Sequence, residues 1–280
     1  MEQPKKLKRH FFLWVLLIGL GLMLVGSMAG ESALATLRVI LPPSDSLEFL
    51  FIYLAFIGID AAVLIYCYLA EKPIFQGMLW QSRGGMRGNT PQRFLLGLLV
   101  GFLANGVCIL AAFLHGDVRF SFGGFRPLYL LAALICVLIQ SGAEELLTRG
   151  YMLGALRERY NVPVAVALNS LFFGALHLFN DGVTLLSVVN IVLVGVAMSL
   201  TVVYLDSLWI CVAFHTMWNF TQNFLFGLPN SGIVAQGSLL HLEAASDSLL
   251  YHAVFGVEGA VPATLVILAL CIVPMAIRKK

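Results

Sequence analysis

The stretch SGAEELLTRGYM, residues 141–152, decides how this chain is read. It follows RPLYLLAALICVLIQ, residues 126–140, which is almost wholly apolar after its first two residues. Two adjacent glutamates and an arginine thus close an oily helix. Glu145 and Arg149 are four apart, so they share a helix face and can pair. Glu144 is turned about 100° away, off the face that carries Arg149. One acid gains a counter-ion and the other is left for chemistry. A desolvated carboxylate without a partner is a usable general base, because burial raises its affinity for a proton.

The rest of the chain says what surrounds this stretch. Of its 280 residues 60% are hydrophobic and only 11% charged, whereas a soluble domain carries about 25% charged residues. The fold class is an all-α polytopic membrane protein. Closed β-barrels, the other solution in lipid, would show short alternating segments, and these apolar runs are continuous. Spans are expected near 11–29, 48–70, 92–114, 127–148, 162–179, 183–205, 208–226 and 253–277, about eight transmembrane helices in all. The first follows Lys5, Lys6, Lys8 and Arg9 and reads as a retained helix, not a signal peptide. With the N-terminus inside, 14 of the 17 Lys and Arg fall on the cytoplasmic side, leaving only Arg38, Arg119 and Arg126 outside. This places both termini in the cytoplasm.

The net charge of +2 calls for no nucleic-acid partner, since the basic residues flank spans. Cys67, Cys108, Cys136, Cys211 and Cys271 all lie in apolar spans without a CxxC pair and read as small core residues. Three segments follow: helices 1–3 with their loops in 1–126, a core in 127–226, and an outer loop with the last helix in 227–280. The loop 71–93 is Gly-rich and basic, a cytoplasmic connector; the loop 227–250 has no Lys or Arg and is long enough to fold back onto the membrane.

Charged groups deep in lipid survive when they face protein or a wet cavity. RERYNVPV at 157–164 reads as a charged turn, with Pro163 in the first turn of the next helix. Glu144 precedes this turn by about 16 residues and His177 follows it by about 16, so the two are expected at one level on adjacent helices. HTMWN places His215 and Asn219 on one face of a later helix. Taken singly, each histidine is as well explained by a helix contact, Phe173 by packing, Asp60 by a bundle-interior polar contact and Asp206 by a solvated turn. Four polar groups at compatible depth weigh against that reading.

In their order, EELLTR (144–149), FGALH (173–177) and HTMWN (215–219) match EExxxR, FxxxH and HxxxN. With RGYM following the first, they resemble the CAAX prenyl endopeptidase and bacteriocin-processing (CPBP, or Abi) family of intramembrane proteases, over about residues 127–226. Thr148 stands where that family commonly has an aromatic residue. The resemblance implies an intramembrane endopeptidase. In it Glu144 is the general base on a water, His177 orients that water, and His215 and Asn219 donate to the oxyanion. Glu145 and Arg149 hold the helix and Phe173 shapes the pocket.

The family has been described both as metal-free and as metal-dependent. A zinc held by Glu144, His177 and His215 is chemically reasonable, but HExxH spacing is absent and Asn219 beside His215 suits an oxyanion hole, so no metal is favoured. The implied substrate is a prenylated CAAX-like tail, a leader peptide or a membrane protein, entering from the cytoplasmic side of a bacterial inner membrane. The competing readings are a non-catalytic scaffold or immunity factor, and a proton-coupled transporter. A transporter would show two related halves, and none are visible.

Overall fold

The computed structural model describes residues 11–41 and 44–277. The terminal cations Lys5, Lys6, Lys8, Arg9, Arg278, Lys279 and Lys280, on which the expected orientation leans, lie outside them. The chain is mostly helical. In order come α1 (Phe12–Ile40), α2 (Asp45–Leu54), α3 (Ile57–Ala70), α4 (Lys72–Met78), α5 (Pro91–His115) and α6 (Pro127–Glu145). Helix α6 continues through a π segment, Leu146–Met152, and a last α turn, Leu153–Arg157. Then follow α7 (Val162–Ala175), α8 (Leu185–Leu205), α9 (Trp209–Phe220) with a π turn at Thr221–Leu225, and α10 (Val261–Ile277).

Among the described residues five runs are long and apolar enough to cross a membrane: Phe12–Ile40, Asp45–Ala70, Pro91–His115, Pro127–Arg157 and Leu185–Leu205. Val162–Ala175 and Val261–Ile277 are apolar but shorter. Local chemistry explains where the runs differ from expectation. The 48–70 run tightens at Ala55–Phe56, where i→i−3 bonds join α2 to α3. Helix α7 is capped by the Asn161 side chain, carries Pro163 in its first turn, and stops at Ala175, before His177. The last helix starts at Val261, because Gly256 at φ 94° turns the chain first. Helix α8 opens on a reciprocal capping box between Thr184 and Ser187.

Two strands correct the all-α expectation. β1 (Val118–Phe122) and β2 (Leu240–Ala245) pair antiparallel, with a register irregularity at Arg119/Phe120. Part of the 227–250 loop is therefore sheet, and it pairs with the segment after α5. Asp117 fastens the end of the sheet: its carbonyl accepts from the Ser246 N–H and its Oδ2 from the Ser248 hydroxyl at 2.7 Å.

The basic connector is equally ordered. Asn89, buried, donates to the Gly77 and Leu79 carbonyls and accepts from the Leu208 and Trp209 N–H groups. One side chain thus ties the connector to the α8–α9 turn, where Asp206 adopts φ 50° and accepts from the Arg87 N–H. Trp80 stacks on Trp209 beneath it, 4.7 Å between ring centroids.

Helices α1 and α3 cross backbone to backbone. A Cβ at Gly58 would overlap the Gly26 carbonyl oxygen, and one at Gly30 would overlap the Ala55 carbonyl oxygen. Without a hydrophobic force between helices in lipid, such close packing supplies the attraction. Gly58→Val is expected to cost about 1–3 kcal/mol, the usual penalty for overpacking. An unchanged midpoint in detergent unfolding would show that the crossing contributes little.

Candidate active site

The site is built where α6 ceases to be a regular α-helix. The π segment begins directly after Glu145, and such bulges are common at functional positions because they re-aim side chains and free carbonyls. The freed groups are accounted for. Asn169 of α7 donates to the Thr148 carbonyl at 2.7 Å and accepts from the Ser199 hydroxyl of α8, so three helices meet at the bulge. The Thr148 hydroxyl donates to the Glu144 carbonyl and accepts from Arg149 Nη1 at 2.8 Å. That double use gives a physical reason for threonine where an aromatic residue would be common.

Glu145 and Arg149 form the ion pair that their spacing predicts, 3.1 Å apart and both fully buried. The guanidinium carbon sits 4.1 Å from the centroid of Phe173, whose ring also packs against His177. Glu145 Oε1 further meets His215 Nδ1 at 3.0 Å. Since an ionised carboxylate only accepts, Nδ1 carries the proton there. The imidazole is held by Glu145, and Glu145 by Arg149.

His215 Nε2 then points toward Glu144, 3.8 Å from its Oε2. That oxygen is buried and has no hydrogen-bond partner, while the other oxygen accepts from Gln140. Gln140 Oε1 in turn accepts from Asn219 Nδ2 at 3.2 Å. Gln140 was legible only as one more polar residue in an oily run, yet it connects the glutamate to the asparagine.

His177 falls just past the end of the helix expected to carry it. It lies in the turn beyond α7, with Nδ1 donating to the Phe173 carbonyl at 2.9 Å, and the imidazole that reaches Glu144 is His215. His177, Phe173, His215 and Asn219 do share a cleft of about 430 Å³. Its other wall comes from Trp218, Asn230, Ser231 and Glu258. Glu258 and the 230–231 turn lie outside the segment expected to hold the whole site. An acid 113 residues beyond Glu145 (258 − 145) has no pattern linking it to the motifs.

Asp60 projects toward Gly142 of α6, 3.6 Å from where a Cβ would stand, and its buried Oδ1 has no hydrogen-bond partner. Asn190 is structural: it donates to the Glu258 and Ala260 carbonyls. Among the described residues no group of three or more His, Cys, Asp or Glu side chains is arranged to hold a metal ion, and Glu144, His177 and His215 do not form one.

Comparison with known proteins relates the segment that carries most of this cluster to a family of membrane peptidases. Residues 126–221, about a third of the chain, match the family described as Type II CAAX prenyl endopeptidase Rce1-like, and this match supports the CAAX protease (CPBP) resemblance over that segment. Its apolar helices and this match point to an integral membrane protein. No curated protein and no solved structure matches the chain.

Proposed function

We propose that this chain is an intramembrane endopeptidase using a glutamate-activated water. One observation carries the reading: Glu144 Oε2 is buried, unpartnered and 3.8 Å from an imidazole nitrogen that Glu145 and Arg149 hold in place. A scaffold contact would satisfy that oxygen, because an orphaned buried acceptor is a cost without return. In the reaction Glu144 takes a proton from water as its oxygen bonds to the scissile carbonyl carbon. The carbonyl oxygen becomes an oxyanion, met by Nε2–H of protonated His215 and by the Asn219 amide proton not given to Gln140. His177 Nε2, free because Nδ1 is bonded to Phe173, orients the water or the substrate from the facing wall. The oxyanion collapses, the C–N bond breaks, and Glu144 returns its proton to the leaving amine. No step requires a metal.

The substrate class that goes with this reading is a prenylated CAAX-like tail, with a leader peptide or membrane protein as the next choice. Eight spans, cytoplasmic termini, cytoplasmic entry and residence in a bacterial inner membrane complete the proposal. The test is a comparison of new peptide termini in membranes holding the parent or Glu144→Gln at equal abundance. Termini present only with the parent are expected, and they identify the substrate. Identical sets, with a synthetic farnesylated CAAX peptide also left intact by the parent, would overturn the reading and return the cluster to a scaffold role.

A further inference from the structure

Glu258 is a buried acid with no place in the mechanism above. It sits on the short turn Val257–Gly259 ahead of α10, 4% exposed, and among the described residues no basic side chain pairs with it. Its Oε1 accepts from the Trp218 indole N–H at 2.7 Å and its Oε2 from Gln222 Nε2 at 2.8 Å. The Gln222 amide is oriented in turn by Asn105 of α5, which donates to its Oε1 at 2.7 Å. The Glu258 carbonyl is pinned by Asn190 of α8. The carboxylate thus bonds two side chains at the C-terminal end of α9, while backbone N–H groups of Ser231 and Glu258 and the pinned carbonyl hold it from its own side.

Those residues are chosen by helical geometry. Trp218 and Gln222 are four apart, as are His215 and Asn219, and all four fall on adjoining strips of α9. Rotation of α9 that breaks the bonds to Glu258 must also swing His215 away from Glu145 and Asn219 away from Gln140. The helix gives way to a π turn at Thr221, so its backbone alone does not fix that rotation. An uncompensated acid at this depth is costly, and an apolar residue would pack at less expense. A carboxylate, however, accepts from two N–H donors at once.

We infer that Glu258 is a positioning residue, whose carboxylate sets the rotation of α9 and so the placement of His215 and Asn219. The inference rests on the endopeptidase reading for its consequence in catalysis and on geometry for the placement itself.

Glu258→Gln is nearly isosteric but sets an amide donor against one of the two N–H groups. With a cleaved peptide in hand, kcat is expected to fall about 10²-fold, the cost of displacing catalytic groups by ~1 Å, with KM unchanged. The exchange Gln222→Glu with Glu258→Gln restores a donor–acceptor match and should recover part of the rate. It recovers only part, because the Pro229 carbonyl loses the donor that Gln222 now offers it. A readout free of activity uses the full chain with ¹⁵N-labelled histidine in lipid nanodiscs, where His215→Gln identifies the His215 signals. Glu258→Gln should move them and the exchange should return them. Unmoved His215 signals would overturn the inference whatever the peptidase result, as would kcat equal to the parent's. A parent that cleaves nothing while the signals still move would sink the endopeptidase reading and leave the placement role standing.

Discussion

Glu144→Gln is expected to lower kcat by about 10²–10⁴-fold, the usual contribution of a positioned general base. The substitution keeps the shape of the side chain. Its Oε1 can still accept from Gln140, so the Asn219–Gln140 connection survives. What disappears is the proton acceptor that faces His215 Nε2. The same change removes a half-buried charge whose Oε2 has no hydrogen-bond partner, so thermal stability in detergent should hold or rise. This combination separates a catalytic role from a structural one, since loss of a structural contact lowers both. A variant that cleaves at the parent's rate would remove Glu144 from the mechanism. One that fails to accumulate would make it a folding residue.

The second large effect belongs to Arg149. Arg149→Ala should cost about 3–5 kcal/mol, the penalty for stranding one partner of a buried ion pair. Glu145 would keep only His215, Thr148 would lose a donor, and Phe173 would lose the cation above its ring. Folded yield and thermal midpoint should both drop, and activity with them. Glu145→Gln combined with Arg149→Met tests the cause. Removing both charges avoids the stranded ion, so stability should recover toward the parent. Activity should stay low, because the amide holds the His215 proton less strongly than a carboxylate does. If Arg149→Ala alone is as abundant and as heat-resistant as the parent, the pair has no structural role.

Much of the site was legible because its geometry is local. Glu145 and Arg149 pair at helical spacing, and that spacing needs no knowledge of the remaining chain. His215 and Asn219 share a face for the same reason, and both line the cleft. That Glu144 and Glu145 meet different partners, Gln140 and Arg149, also follows from one helical step. The apolar runs were visible from composition. Their ends were less so, because caps such as Thr184 and turns such as Gly256 stop a helix whatever the hydropathy of its neighbours.

The long-range partners were not legible. Equal counting from the 157–164 hairpin put His177 opposite Glu144, on the premise of two straight helices. The π segment at Leu146–Met152 and the end of α7 at Ala175 both break that premise. His215 of α9, three connections beyond α6, places Nε2 3.8 Å from Glu144 Oε2. Nothing in the spacing of residues 118–122 and 240–245 announces that they pair, since the strands are short and more than 100 residues apart.

The sequence by itself determined a helical membrane chain and a set of acid, imidazole and amide groups in motif order, because hydropathy and side-chain spacing act within single helices. The tertiary structure alone decided which imidazole meets the free glutamate, how the bulge at Thr148 is satisfied, and that Glu258 closes the cleft from the far end of the chain. Those outcomes depend on helix rotation and on hydrogen bonds between distant segments, which are set by packing and by the cost of leaving a polar group unpaired away from water.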